Sequence, residues 1–135
     1  MFSKFRRSLV SAVIASFATA WLLGIVENWV DTNRNPINLN TMYALLFLRF
    51  AIAFSLGGAI AGQRFIVPAS VSVLVVIGAI VAHTAYLAAR VSLPVLPVLF
   101  NNLPIIVLST VGALAGAMLG ARLHGTSKSR PGDAQ

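Results

Sequence analysis

There is no cysteine in this chain, which excludes disulfides, thiolate catalysis and cysteine-held metals. Charge is scarce too. Charged residues make up 10% of the sequence, and only three are acidic against ten lysines and arginines. No nucleophile–base signature, phosphate-cradling glycine loop or metal-spaced ligand cluster occurs along it. No catalytic residue, cofactor or metal is therefore expected, and the absences argue against an enzyme.

What the chain has is apolar length. Apolar residues make up 58% of it, more than a soluble domain of this size could cover with polar surface. A membrane-crossing helix needs about 20 such residues for a hydrocarbon core of roughly 30 Å. Four stretches qualify, at about 8–30, 41–62, 68–89 and 103–123. The expected fold is an all-α integral membrane protein, a bundle of four transmembrane helices packed through small residues. Residues 1–123 hold that bundle, and residues 124–135 read as a disordered basic tail.

The net charge of +7 invites a nucleic-acid partner, but the cations flank the spans and share no continuous folded surface. Lys4, Arg6, Arg7, Arg64, Arg122, Lys128 and Arg130 would lie on one side, Arg34 and Arg90 on the other. Seven against two puts both termini in the cytoplasm, where basic ends suit anionic lipid head groups. No nucleic-acid partner is expected. The compact layout suggests a bacterial inner (plasma) membrane. The first span has some marks of a signal peptide, a basic start and Ala18-Thr19-Ala20 as a cleavage-like site. Cleavage would leave three spans. The apolar run continues to Val30, however, which is span length.

The connections carry their own signals. Residues 31–40 are polar and Asn-rich with Pro36 as breaker, and Asn40 or Thr41 can cap the second span. Residues 63–67 are so few that spans 2 and 3 should form a tight hairpin, with Pro68 in the first turn of span 3. Val91 to Phe100 is apolar but holds Pro94 and Pro97, which argues against a regular helix. That segment fits a lid, a lipid anchor or a partner contact. Asn101 or Asn102 would then cap span 4, with Pro104 in its first turn.

Two patterns stand out within the spans. The first is small residues at every fourth position. Span 4 has Gly112, Gly116 and Gly120. Span 2 has Gly58 and Gly62, with Gly57 beside them, and span 1 has Ser8, Ala12, Ser16, Ala20 and Gly24. A spacing of four keeps them on one helix face, and small residues let helix backbones approach closely in lipid, where the hydrophobic effect does not drive association. Such faces serve packing within one chain, or docking of a second copy or a foreign subunit.

The second pattern is three ionisable groups inside the spans: Glu27, Arg49 and His83. Arg49 lies about 12 Å into span 2 at 1.5 Å per residue. Ionisable groups at such depth are costly and usually face protein or water. Arg49 shares a face with Ala53, Gly57 and Ala61, and Glu27 lies one turn beyond Gly24. An Arg49–Glu27 pair bordered by His83 is therefore expected. The plainer alternatives are a snorkelling arginine and a neutral histidine bonded to a helix carbonyl.

Two functions follow. Abundant packing surface and scarce chemistry suggest a non-enzymatic accessory, assembly or immunity-type subunit whose glycine faces dock other membrane helices. The alternative is a small transporter or channel, possibly dimeric, with an outer-half polar site at Glu27, Arg49 and His83.

Overall fold

The computed structural model describes residues 2–31 and 38–128, and the side chains of 7–29 and 38–126. Arg34, Pro36 and Arg130 lie outside the described residues, as do the side chains of Lys4, Arg6 and Lys128. Every element among the described residues is helical. α1 is Phe2–Asp31, α2 Leu39–Ala61, α3 Ile66–Arg90 and α4 Val95–Lys128, with a 3-10 turn, Gly62–Phe65, between α2 and α3. Three helical stretches are long and apolar enough to cross a membrane: Arg7–Trp29, Leu39–Arg90 and Val95–Thr126.

Most of the interior is small and most large side chains point outward, with Phe50, Phe54, Phe65 and Val73 as large buried exceptions. Ala12, Ser16, Ala20, Ala53, Gly57, Gly58, Gly112, Ala113, Gly116 and Ala117 are buried. Ile14, Trp21, Leu22, Val71, Leu74 and Val75 point outward. Water would penalise that much contiguous exposed apolar surface, whereas hydrocarbon does not, and small interior residues are what lipid-embedded packing requires. The chain is accordingly a multi-pass membrane protein.

The glycines set the closest helix pair. Gly112, Gly116 and Gly120 of α4 lie against the carbonyl oxygens of Phe47, Ala51 and Ser55 of α2. Gly58 of α2 returns the contact against the Ala117 carbonyl. Each of the first three pairs is separated by the same 65 residues, as are His124 and Ala59, so α2 and α4 run parallel. Helix α1 runs antiparallel to α2, with Ser16 beside Gly57, Phe17 beside Phe54 and Glu27 beside Arg49. Helix α3 rests chiefly on α4. The order around the bundle is α1, α2, α4, α3, and α1 and α3 barely touch. The expected tight hairpin of spans 2 and 3 is corrected here, because α4 occupies the glycine face of α2 and keeps α3 off it.

The joint between α2 and α3 is built by one glycine and one ring. Gly62 has φ +68°, a conformation open to glycine and strained for side chains, and it ends α2. The chain then delivers Phe65 into the core, where its ring stacks on Phe54 at 6.0 Å. Phe54 also meets Phe50 at 6.1 Å and Phe17 edge-on at 5.4 Å. Such ring pairs contribute roughly 0.5–1.5 kcal/mol each beyond burial. Gly57 makes the room, since an added Cβ would collide with the Phe65 ring and the Ser16 hydroxyl. His124 closes the same end. Its Nδ1 lies 2.8 Å from the Ala59 carbonyl oxygen in the last turn of α2, and because a carbonyl only accepts, Nδ1 carries the proton.

Four terminus expectations change. Asn38, not Asn40 or Thr41, caps α2, its side chain accepting from the Asn40 N–H at 3.3 Å. The helix starts two residues earlier than hydropathy alone suggests, because the cap sits in the polar loop. α4 starts at Val95, so most of the proline-bearing segment is helical. Pro97 is the third helical residue, where an N–H would lack a helix acceptor anyway. Pro104 lies inside α4. Asn102 caps nothing, and its side-chain amide donates to the Val98 carbonyl at 2.7 Å. The expected disordered tail is helical through Lys128, and residues 129–135 lie outside the described residues.

Candidate functional site

The separation of α1 from α3 leaves a cleft of about 460 Å³, within the ~300–1,000 Å³ range of small-molecule sites. Phe17, Trp21 and Gly24 of α1 line one wall, and Ile77 and Ile80 of α3 the other. Arg49 and Phe50 of α2 also line it. Of its lining residues, Trp21, Ile25, Val76 and Ile80 are exposed.

Arg49 and Glu27 meet here because α1 and α2 are antiparallel. Arg49 is the eleventh residue of α2 and Glu27 lies four before the end of α1, so both sit one to three turns from the α1–α2 connection. Arg49 Nη1 donates to Glu27 Oε2 at 3.3 Å. That is long for a charge-assisted bond, which favours about 2.7–2.9 Å, and leaves the pair unsaturated. The two side chains are 25% and 31% exposed, so each can reach a further partner. Gly24 makes the geometry possible, since an added Cβ would stand 2.8 Å from Arg49 Nη1. The guanidinium carbon lies 5.6 Å from the centre of the Phe50 ring, within cation–π range. Arg49 Nε is buried with no acceptor among the described residues.

His83 is not brought to this pair. It is exposed on α3 and does not line the cleft. The helical spacing accounts for this. The residues of α3 that turn inward are Ala69, Val73, Val81, Ala85 and Ala88, and His83 falls outside that stripe. The seven glycines divide by role. Gly58, Gly112, Gly116 and Gly120 seat α2 on α4, Gly57 admits Phe65, Gly62 makes the turn, and Gly24 admits Arg49. Their faces are occupied within the chain.

Sequence reasoning missed Phe50, Phe17 and the α3 residues Ile77 and Ile80. Phe50 and Phe54 stand one turn apart beside Arg49, a signal for a ring under a guanidinium. Nothing in the sequence tells that α1 and α3 part. A second cleft, about 680 Å³, lies where α3 meets α4, lined by Leu87, Arg90, Leu93 and Val98 among others. It is larger and likewise has one ionisable lining residue, Arg90, but Arg49 of the α1–α3 cleft has a carboxylate, Glu27, 3.3 Å away.

The α1–α3 arrangement holds a donor fork, Arg49, in a mainly apolar groove, with the Glu27 carboxylate beside it. Among the described residues no group of three histidine or carboxylate side chains could hold a metal ion. Comparison with known protein families, curated proteins and solved structures finds no match.

Proposed function

We propose that this chain is a small non-enzymatic membrane transporter whose substrate site is the α1–α3 cleft at Arg49 and Glu27. One observation carries the reading: Arg49, paired at 3.3 Å with a partly exposed Glu27, lines a mainly apolar cleft of about 460 Å³ between helices of membrane-crossing length. A charged pair at span depth is costly, and one left accessible at a groove is suited to exchange its mutual contact for a substrate's. The site contains two of the three polar residues that suggest transport; His83 is not part of it.

The same reading sets the membrane placement. Helices α1, α2, α3 and α4 each cross once, and Gly62 turns the chain back between α2 and α3. The packing directions put the starts of α1 and α3 and the ends of α2 and α4 at one end, with Arg7, Arg64 and Arg122 exposed there. The basic bias makes that end cytoplasmic, with anionic lipid contact, in a bacterial inner membrane. The cleft then lies in the outer half.

The second reading is an accessory, assembly or immunity-type subunit. The glycine faces that suggest it are filled within the chain, so a partner helix, from a second copy or a foreign subunit, would have to use the α1–α3 opening. Native mass spectrometry of the protein purified from its host in mild detergent separates the two. The transporter reading expects a monomer or homo-oligomer. A stoichiometric foreign subunit overturns it in favour of the accessory reading.

A further inference from the structure

We infer that the cleft takes a zwitterionic aminophospholipid, its phosphate against Arg49 and its ammonium against Glu27. The inference rests on the cleft being a substrate site and names the substrate class. Three observations lead there. Arg49 lines the cleft and Glu27 stands 3.3 Å from it, both side chains partly exposed, so the electrostatic complement of the pair is a head group with both charges. An anionic lipid would meet Arg49 but be repelled by Glu27, and a cationic one the reverse. The rest of the lining is mainly apolar, including Phe17, Trp21, Ile77 and Ile80 beside the polar Asn28, which suits acyl chains. The lining residues Trp21, Ile25 and Ile80 are exposed on helices long enough to cross a membrane, so in a bilayer the cleft borders lipid.

The geometry also orders the contacts. Phe50 beneath the guanidinium and Gly24 beside it fix where Arg49 sits, and arginine's planar fork matches a phosphate with two donors. Glu27 accepts from Arg49 through Oε2, and a carboxylate has further lone pairs for an ammonium. No covalent step is involved.

The test uses the full chain in mild detergent with phosphatidylethanolamine and phosphatidylglycerol added in equal amounts. Native mass spectrometry reads which lipid stays bound. The ethanolamine lipid should be retained about tenfold over the glycerol lipid, the scale of one extra ion contact worth ~1.4 kcal/mol. Glu27→Gln should bring that ratio to about one while lipid still binds. Arg49→Ala should remove retention of both. Ile80→Trp enlarges a side chain that lines the cleft and leaves both members of the pair in place; it should do the same, so an Arg49→Ala protein that fails to fold leaves the test intact. Glycerophosphoethanolamine, the head group without chains, should compete poorly.

Equal retention, or a preference for the glycerol lipid, overturns the head-group assignment but leaves a lipid site in the cleft. Strong competition by the chainless head group overturns the lipid assignment in favour of a soluble substrate. Retention that neither Arg49→Ala nor Ile80→Trp changes overturns both the assignment and the substrate-site reading beneath it.

Discussion

Replacing Gly116 by alanine adds one methyl group at the tightest kind of place in this protein. Its Cβ would collide with the backbone of Ala51, with the carbonyl carbon at 2.8 Å and Cα at 2.9 Å, and the carbonyl oxygen closer still. Backbone cannot rotate aside as a side chain can. Carbon and carbonyl oxygen need about 3.3–3.6 Å, so α2 and α4 must separate by on the order of 1 Å. A gap of that size forfeits roughly a quarter to a half of each dispersion contact along the seam, and such overpacking costs about 1–3 kcal/mol. The separation relieves Gly112 too, whose added Cβ would stand 2.7 Å from the Phe47 carbonyl oxygen. Gly112→Ala together with Gly116→Ala should therefore cost clearly less than the sum of the single changes, because the first has already opened the seam. Gly78 is the control. It is also within a helix, but an added Cβ there meets nothing within 4 Å, and alanine is the better helix former. Reversible unfolding in detergent, followed by circular dichroism, measures all four. The reasoning is refuted if Gly116→Ala is tolerated as well as Gly78→Ala, or if the double change is fully additive.

Other expectations follow from single features. Ser92 holds φ +60° at the end of α3, where Leu93 N–H reaches back to the Ala88 carbonyl and Ser92 N–H to Ala89, a helix end that favours glycine. Ser92→Gly should stabilise the protein by about 1 kcal/mol, read as a rise in unfolding midpoint. Ser109 is fully buried and its hydroxyl has no partner among the described residues, so Ser109→Ala should be neutral or stabilising by up to about 1 kcal/mol in the same assay. Exchanging the pair, Arg49→Glu with Glu27→Arg, should recover part of the transport lost in either single change, and no recovery in liposome flux would count against the pair. His124→Ala should cost about 1 kcal/mol and raise amide hydrogen exchange in the last turn of α2, where the Ala59 carbonyl loses its donor.

The helices and the identity of the packing faces were legible because both follow from local spacing. Apolar length marks each helix, and small residues four apart mark the faces that must approach another backbone. The Glu27–Arg49 contact was legible for the same reason, since each residue continues a small-residue stripe and ionisable groups at span depth face protein or water. The partner of each face was not legible. Gly58 and Gly112 could have met any small face, and only the whole packing pairs α2 with α4 in parallel. Pro97 and Pro104 misled because proline's cost depends on whether its N–H had an acceptor, which turns on where the helix begins. His83 misled because depth along a helix says nothing of its direction around it. His124 was overlooked because its acceptor, Ala59, is 65 residues away.

The most direct test of the transporter reading is transbilayer movement of a labelled phosphatidylethanolamine in liposomes containing the purified chain. The account predicts faster movement than in protein-free liposomes, and a return to the protein-free rate with Arg49→Ala or Ile80→Trp. No acceleration by the folded wild-type chain, or acceleration that both variants retain, would contradict it.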